Sequence, residues 1–296
     1  MNKITVFYRD EMVADSGGYS PSAAKPAEVV AEWKKNYGDR IAVEDIFEES
    51  PREFYYGIHE PKYVDGVLDC NVKNGHGNTS REVADSLMWV AGSYLAAIDH
   101  AKKTHGVAVA PVSGAHHAEY AHASGFCTFN FLNAGARYAH DVLKVERIGI
   151  VDLDYHWGNG CVHIAKQAGQ DYLSYSTISD WYEGNMRHYL EAGLWNELEQ
   201  VHGDAEMLFY QAGADAWKHD PLGGCLSKAG LRERDRIVFE FAKERRIPIV
   251  WNLAGGYHRD ECGSIQQVLD IHNATMEECL AVYGGKCCKQ GKGCVA

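Results

Sequence analysis

No stretch of the chain approaches the roughly 18 consecutive apolar residues that a membrane-spanning helix needs, so a membrane span is not expected. Positive charge is scarce: 29 Lys and Arg stand against 41 Asp and Glu, a formal net charge of −12. Nucleic-acid binding relies on clustered Lys and Arg against phosphates, so no nucleic-acid partner is expected. A cationic substrate or partner fits the acidic balance, although many soluble enzymes share it. Internal repeats and low-complexity linkers are missing too, which leaves residues 1–296 to be read as a single catalytic domain. The nine cysteines are an odd number without a paired Cys-x-x-Cys arrangement, unlike a secreted disulfide framework. Cys70, Cys127, Cys161 and Cys225 read as buried free thiols. Residues 284–296, with Cys287, Cys288 and Cys294 among Lys and Gly, read as a flexible tail. The opening Met1–Asp10 has no apolar stretch before its first acidic residue and reads as a β-strand, not a signal peptide. A soluble, cytoplasmic protein is expected.

What is present is an ordinary globular composition, 46% hydrophobic and 11% aromatic. Strand-like runs alternate with helix-like ones, which predicts an α/β fold: a central, mostly parallel sheet with helices on both faces. Val107–Pro111, Arg147–Asp152, Met207–Gly213 and Ile247–Leu253 are the strand candidates. Near-continuous apolar character suits strands buried on both faces. Ala134–Leu143 and Ala229–Arg245 carry helical spacing. Ionisable residues gather just past the strands: His116 and His117, then Asp152, Asp154 and His156, then Asp215, then Tyr257. Ligands of open parallel sheets bind outside the carboxyl ends of the strands. Delivery of His, Asp and Tyr to one edge is the layout of an active site.

Asp154 and His156 stand two apart at a strand end, where extended backbone would turn both toward one cation. A His with carboxylates suits zinc, with a position left for water, and Asp215 can add a third ligand. A lone Asp-x-His more often caps a helix or pairs with a neighbour; the company of His116, His117, Asp215 and Tyr257 favours the metal. Adjacent histidines in a loop suit proton transfer near neutrality, but alone they read equally well as a surface pair. Tyr257 after Gly255-Gly256 could donate to a carbonyl oxygen as it gains charge, while a Tyr in that setting is commonly structural.

Together these stretches resemble the histone deacetylase family, within the arginase–deacetylase fold. The likeness runs from about residue 58 to residue 260. It is carried by Ile58-His59-Glu60-Pro61, Gly114-Ala115-His116-His117 with Ser124-Gly125-Phe126-Cys127, Asp152-Leu153-Asp154-Tyr155-His156-Trp157-Gly158-Asn159-Gly160, Gly213-Ala214-Asp215 with Asp220-Pro221-Leu222-Gly223-Gly224, and Gly255-Gly256-Tyr257. The resemblance implies one zinc on Asp154, His156 and Asp215. It makes His116 and His117 the general base and acid, with Asp152 orienting His116 and Tyr257 stabilising the oxyanion. Gly125 and Phe126 would line a narrow channel for the acylated side chain. A structural potassium would sit on the backbone of Asp152, Asp154 and His156, with Ser176 adding a hydroxyl.

The sequence departs from the family pattern at Trp157, where a second His is usual, and at Asn159, where some members place an acid beside the second histidine of the pair. Ser20-Pro21-Ser22-Ala23 replaces an early His-Pro-Glu, and residues 176–184 lack the Phe-Pro-Gly run of the channel wall. Trp181 or Tyr182 stands in for that wall, and His76, in Asn74–Asn78, overhangs the mouth. The expected substrate is an acetyl-lysine, an acetylpolyamine or a small N-acetyl metabolite. The compact chain, the lack of a basic extension and the His76 loop favour a small free amide. Rival readings are a dimanganese ureohydrolase of the same fold, whose second metal site looks incomplete at Trp157 and Gly158, and a non-catalytic binding protein that keeps the pocket. A homo-oligomer is compatible with the sequence, which carries no sign of its order.

Overall fold

Strands buried on both faces are near-continuous apolar runs, and Ile148–Asp152, Met207–Gln211 and Ile249–Asn252 of the computed structural model are such runs up to the polar residue that ends each. Every residue of Ile148–Asp152 and of Met207–Gln211 is buried. The structure describes residues 3–181 and 185–285. In chain order it runs β1 (Ile4–Phe7), α1 (Lys25–Tyr37), β2 (Ile41–Glu44), α2 (Pro61–Leu68), α3 (Arg81–Thr104), β3 (Val107–Val109), α4 (Phe131–Asp141), β4 (Ile148–Asp152), α5 (Asn159–Ala168) and β5 (Leu173–Thr177). There follow α6 (Met186–His188), a π-helical turn at Tyr189–Gly193, α7 (Leu194–His202), β6 (Met207–Gln211), α8 (Lys228–Arg245), β7 (Ile249–Asn252) and α9 (Gln266–Tyr283).

The strands form one sheet in the order β2-β1-β3-β7-β6-β4-β5. Each pairing is parallel, so the expected mostly parallel sheet is parallel throughout these strands. Helices cover both faces: α1, α8 and α9 pack together, and α3, α4 and α5 form a second group. Helix starts are closed by side chains that accept otherwise unpaired backbone N–H groups. Ser80 caps α3, Asn130 caps α4 and Ser227 caps α8. Aromatic edges interlock in the core, with Trp33 on Trp251 at 5.4 Å and Tyr94 on Phe209 at 5.4 Å. Among the described residues, no helix is long and apolar enough to cross a membrane.

Two features of the packing set up the site. Since β3, β7, β6 and β4 are neighbours and all parallel, their carboxyl ends open on one edge. Asp152, Gln211 and Asn252 stand at one level across β4, β6 and β7. Behind that edge lies Arg234 of α8, wholly buried and paired with Asp235 at 2.7 Å. Its Nη1 donates to Leu153 O at 2.9 Å and Gly213 O at 2.8 Å, tying the exits of β4 and β6 together.

The cysteines only partly follow expectation. Cys127 and Cys161 are buried and free, but Cys70 and Cys225 are half-buried. Cys70 follows α2 in a turn with φ +60°, and Cys225 lies in the loop before α8, so neither belongs to a core element. Cys279 is buried in α9. Of the tail read at 284–296, all but residues 284 and 285 lie outside the described residues.

Candidate metal centre

Strand β4 ends at Asp152, so Asp154 and His156 belong to the turn beyond it and not to the pleat. The expected strand alternation is therefore replaced by two successive side-chain-to-backbone turns. Asp154 N donates to Asp152 Oδ1 at 3.2 Å, and His156 N to Asp154 Oδ1 at 2.9 Å. Asp residues favour such turns because the carboxylate reaches the backbone two residues on. Asp215 arrives from the exit of β6, and its Oδ1 accepts Tyr155 N at 3.1 Å. One ligand atom from each of Asp154, His156 and Asp215 lies within 4.8 Å of the others. His156 Nδ1 is 3.0 Å from Asp215 Oδ2 and 3.3 Å from Asp154 Oδ1.

Both carboxylates are buried, Asp154 at 1% exposure and Asp215 at 0%. Burial and the charge of Asp154 push the Asp215 carboxyl up to about 7. Burial would raise Asp154 as well, yet His116 and His156 hold it below the ordinary range. Two carboxylates packed this closely into the interior resist joint ionisation unless a cation joins them. A His and two carboxylates in a half-open cluster are a fitting donor set for zinc with a fourth position left open.

The loop after β3 brings His116 and His117 to the same place, their ring centroids 4.0 Å apart. His116 Nδ1 lies 2.8 Å from Asp152 Oδ2, and its Nε2 is 3.6 Å from Asp154 Oδ1. Burial pulls the His116 imidazole down, but Asp152 and Asp154 outweigh it and hold the ring at about 9. His117 goes the other way: burial and neighbouring His116 lower it, and its Nδ1 meets only the neutral Asn159 Oδ1, at 2.7 Å.

After β7 the chain turns sharply back over the cluster. Gly255 N donates to Asp154 Oδ2 at 2.8 Å. A Cβ at Gly255 would stand 2.7 Å from Asp154 Oδ2 and closer still to Asp215 Oδ2, so only glycine fits there. Tyr257 is 7% exposed, with its ring 6.4 Å from that of His156 and 5.6 Å from that of Phe126. Burial, then Asp154 and Asp215, raise its phenol well above the ordinary value, so it stays a donor.

Phe126 lies between Tyr257 and His76, stacked on the latter at 6.1 Å. Gly125, with φ +52°, lies against the His117 ring, where a Cβ would strike it. A small cavity of about 40 Å³ behind Phe126 is bordered by Ser22, Ala23 and His76, which locates the early segment where the sequence departs from the resemblance. The Trp181 indole packs on Tyr189 at 4.8 Å and donates to Glu197 at 2.9 Å. Tyr182 lies outside the described residues. Ser176 Oγ lies 2.8 Å from His202 Nε2.

Several supporting groups escaped the sequence reading. Asp152 receives Tyr175 OH at 2.5 Å and Gln211 Nε2 at 3.1 Å besides His116, so every lone pair it turns inward has a partner. Asp220 Oδ2 accepts Tyr257 N at 2.7 Å. Lys25, fully buried at the start of α1, donates to Ala254 O at 2.7 Å and Gly255 O at 3.2 Å. Nothing local in the sequence marks Lys25, more than 220 residues away; Tyr175 is marked only by its place on a strand.

Comparison with known proteins gives the family and the fold. A histone deacetylase domain model matches residues 28–180 and 183–271. An uncharacterized protein of Picosynechococcus is 30% identical over 74% of this chain and 80% of its own length. Histone deacetylase 2 of Arabidopsis thaliana is 28% identical over 53% of this chain, and the match spans 46% of that protein. Histone deacetylase 18 of the same plant is 27% identical over 70% of this chain and 37% of its own length. This chain thus spans less than half of the two plant relatives. The solved HD domain of HDA15 superposes with a TM-score of 0.76 at 18% identity, covering 96% of this chain and 92% of that one.

Proposed function

Because the chain belongs to the histone deacetylase family, we propose that it hydrolyses an acetylated amine with one zinc ion held by Asp154, His156 and Asp215. The observation that carries this reading is the convergence of those three ligand atoms within 4.8 Å, beside His116, His117 and Tyr257. Zinc, when bound, supplies Lewis acidity toward water and the acyl oxygen. The side chains supply the remainder. A cation on Asp154 would offset part of the negative charge that raises the His116 imidazole, and His116, oriented by Asp152, would then take a proton from the attacking water. As the carbon–nitrogen bond breaks, His117, having taken up a proton on Nε2 from solvent, delivers it to the departing amine, leaving acetate and a free amine. Tyr257, kept protonated by its burial, donates to the acyl oxygen while it carries negative charge.

The ring of Phe126 between His76 and Tyr257 supports a narrow wall suited to an aliphatic tether. This favours a small acetylated amine over a nucleosomal tail; efficient action on intact histones with none on small amides would reverse that preference. A structural potassium on the Asp152, Asp154 and His156 backbone and Ser176 is part of the same proposal. The Ser176 hydroxyl keeps a lone pair for a cation beside its bond to His202. The ureohydrolase reading is disfavoured because Trp157 is 47% exposed against His163 and Asn159 is engaged by His117 and Glu119. A cytoplasmic location goes with the proposal.

The test is zinc content together with hydrolysis of a fluorogenic acetyl-lysine amide. Wild type should bind about one equivalent, Asp215→Ala should lose the metal, and Tyr257→Phe should keep it while turnover falls roughly 10²–10³-fold. Absence of zinc binding by wild type would overturn the reading. Zinc binding without turnover would move the search to acetylated polyamines and small metabolites.

A further inference from the structure

A second polar chain leaves His117 on the side away from the metal cluster. Its Nδ1 lies 2.7 Å from Asn159 Oδ1, and Asn159 Nδ2 donates to Glu119 Oε1 at 2.5 Å. His163 Nδ1 then meets both oxygens of Glu119, at 3.0 and 3.1 Å. The Glu119 side chain is 15% exposed and that of His163 is 55% exposed, so the series runs from the pocket to the surface. The edge of Trp157 closes on the His163 ring at 6.1 Å.

Each link constrains the next. An ionised carboxylate only accepts hydrogen bonds, so the Asn159 amide must turn its NH₂ to Glu119 and its oxygen to His117. An amide oxygen also only accepts, so His117 must carry its hydrogen on Nδ1, which leaves Nε2 as the atom that takes up a proton and passes it to the departing amine. A carboxylate beside His117 would enforce that tautomer by charge, whichever way it was turned. An amide does so only while it is prevented from rotating by half a turn. Without a partner on NH₂, the two amide orientations become comparable, and one of them donates to Nδ1 and moves the hydrogen to Nε2.

We propose that Glu119 is a positioning residue for His117: acting through Asn159, it selects the imidazole tautomer, and His163 holds the Glu119 carboxylate in place. The effect on turnover rests on the deacetylase reading; the tautomer does not.

Four variants test it in the full-length chain. Glu119→Ala should lower kcat roughly 10–100-fold, the usual size for removal of an orienting partner, with KM and zinc content nearly unchanged. Glu119→Gln, which still offers an oxygen to Asn159, should keep most of the activity. Asn159→Asp in the wild-type background places two carboxylates against each other and should impair turnover. The same change in Glu119→Ala should restore it, because a carboxylate accepts from His117 in either orientation. That reversal of sign is foreign to a merely structural role. Wild-type kcat in Glu119→Ala, or an equally harmful Asn159→Asp in both backgrounds, overturns the proposal. Imidazole ¹⁵N shifts give a readout apart from catalysis: His117 should be Nδ1-protonated in wild type and shifted toward Nε2 in Glu119→Ala. If zinc-loaded wild type hydrolyses no acylated amine, the deacetylase reading fails while the ¹⁵N comparison still decides this one. The same tautomer in both proteins would sink it, and Glu119→Leu serves if Glu119→Ala does not fold.

Discussion

Adding one methyl group at Gly255 should damage the metal site more than the fold. In Gly255→Ala the new Cβ would meet Asp154 Oδ2 at 2.7 Å and Asp215 Oδ2 at a shorter distance. Gly255 is not among the residues with positive φ, so alanine suffers no backbone strain and the cost is steric. Reaching ordinary contact requires the carboxylates to retreat by about 0.5–1 Å. Asp154 is poorly placed to do so, because its Oδ2 accepts the N–H of Gly255 itself and its Oδ1 the N–H of His156. Overpacking of this kind costs about 1–3 kcal/mol, or a Tm lower by roughly 2–5 °C. A misplacement near 1 Å costs about 10²-fold in turnover. Zinc affinity should fall about 10–100-fold, as when a ligand loses its orienting partner. The assay is a competitive zinc titration against a chromophoric chelator, with kcat/KM on the same preparation. A folded variant with wild-type zinc affinity and turnover would refute the claim that Gly255 is pressed against both ligands.

Zinc should also stabilise the fold. At a free concentration one hundred times Kd, binding adds about 2.7 kcal/mol, which raises Tm by roughly 4 °C; differential scanning calorimetry with and without chelator checks this, and an equal gain in Asp215→Ala would contradict the ligand assignment. His202 supplies a pH dependence. Burial lowers its imidazole to about 4 from the ordinary 6.5, while Ser174 and Ser176 hydroxyls lie 2.7 and 2.8 Å from its nitrogens. Between those values the unfolded chain binds the proton and the folded chain does not, so stability falls as pH drops through the window. The slope from this one group is at most about 1.4 kcal/mol per pH unit. Urea unfolding from pH 6.5 to 4.5 should therefore show a shallower loss for His202→Gln, and parallel curves would refute it.

The fold and the heart of the site were legible because each leaves a local trace. Buried parallel strands are near-continuous apolar runs, and their exits must carry the chemistry, so Ile148–Asp152 followed by Asp154 and His156 announces both at once. Strands β2 and β5 left no such trace: three of the four residues of Ile41–Glu44 and the first three of Leu173–Thr177 are only half-buried, as edge strands can be. The pleat argument for Asp154 and His156 reached the right convergence through the wrong geometry, because a period of two and a pair of Asp-led turns both bring residues two apart together.

What stayed hidden was support supplied across the chain. Lys25 reaches the carbonyls of Ala254 and Gly255, and Arg234 those of Leu153 and Gly213, yet a backbone oxygen has no side-chain signature. Tyr175 and Gln211 look like ordinary strand residues until the register sets them beside Asp152. The proposed metal ligands are legible because their chemistry demands particular side chains. The groups that aim them need only a donor at the right distance, and many residues at many positions can provide one. This asymmetry makes Asn159 informative: an amide where a carboxylate would orient His117 unaided requires something behind it, and Glu119 at 2.5 Å is that group.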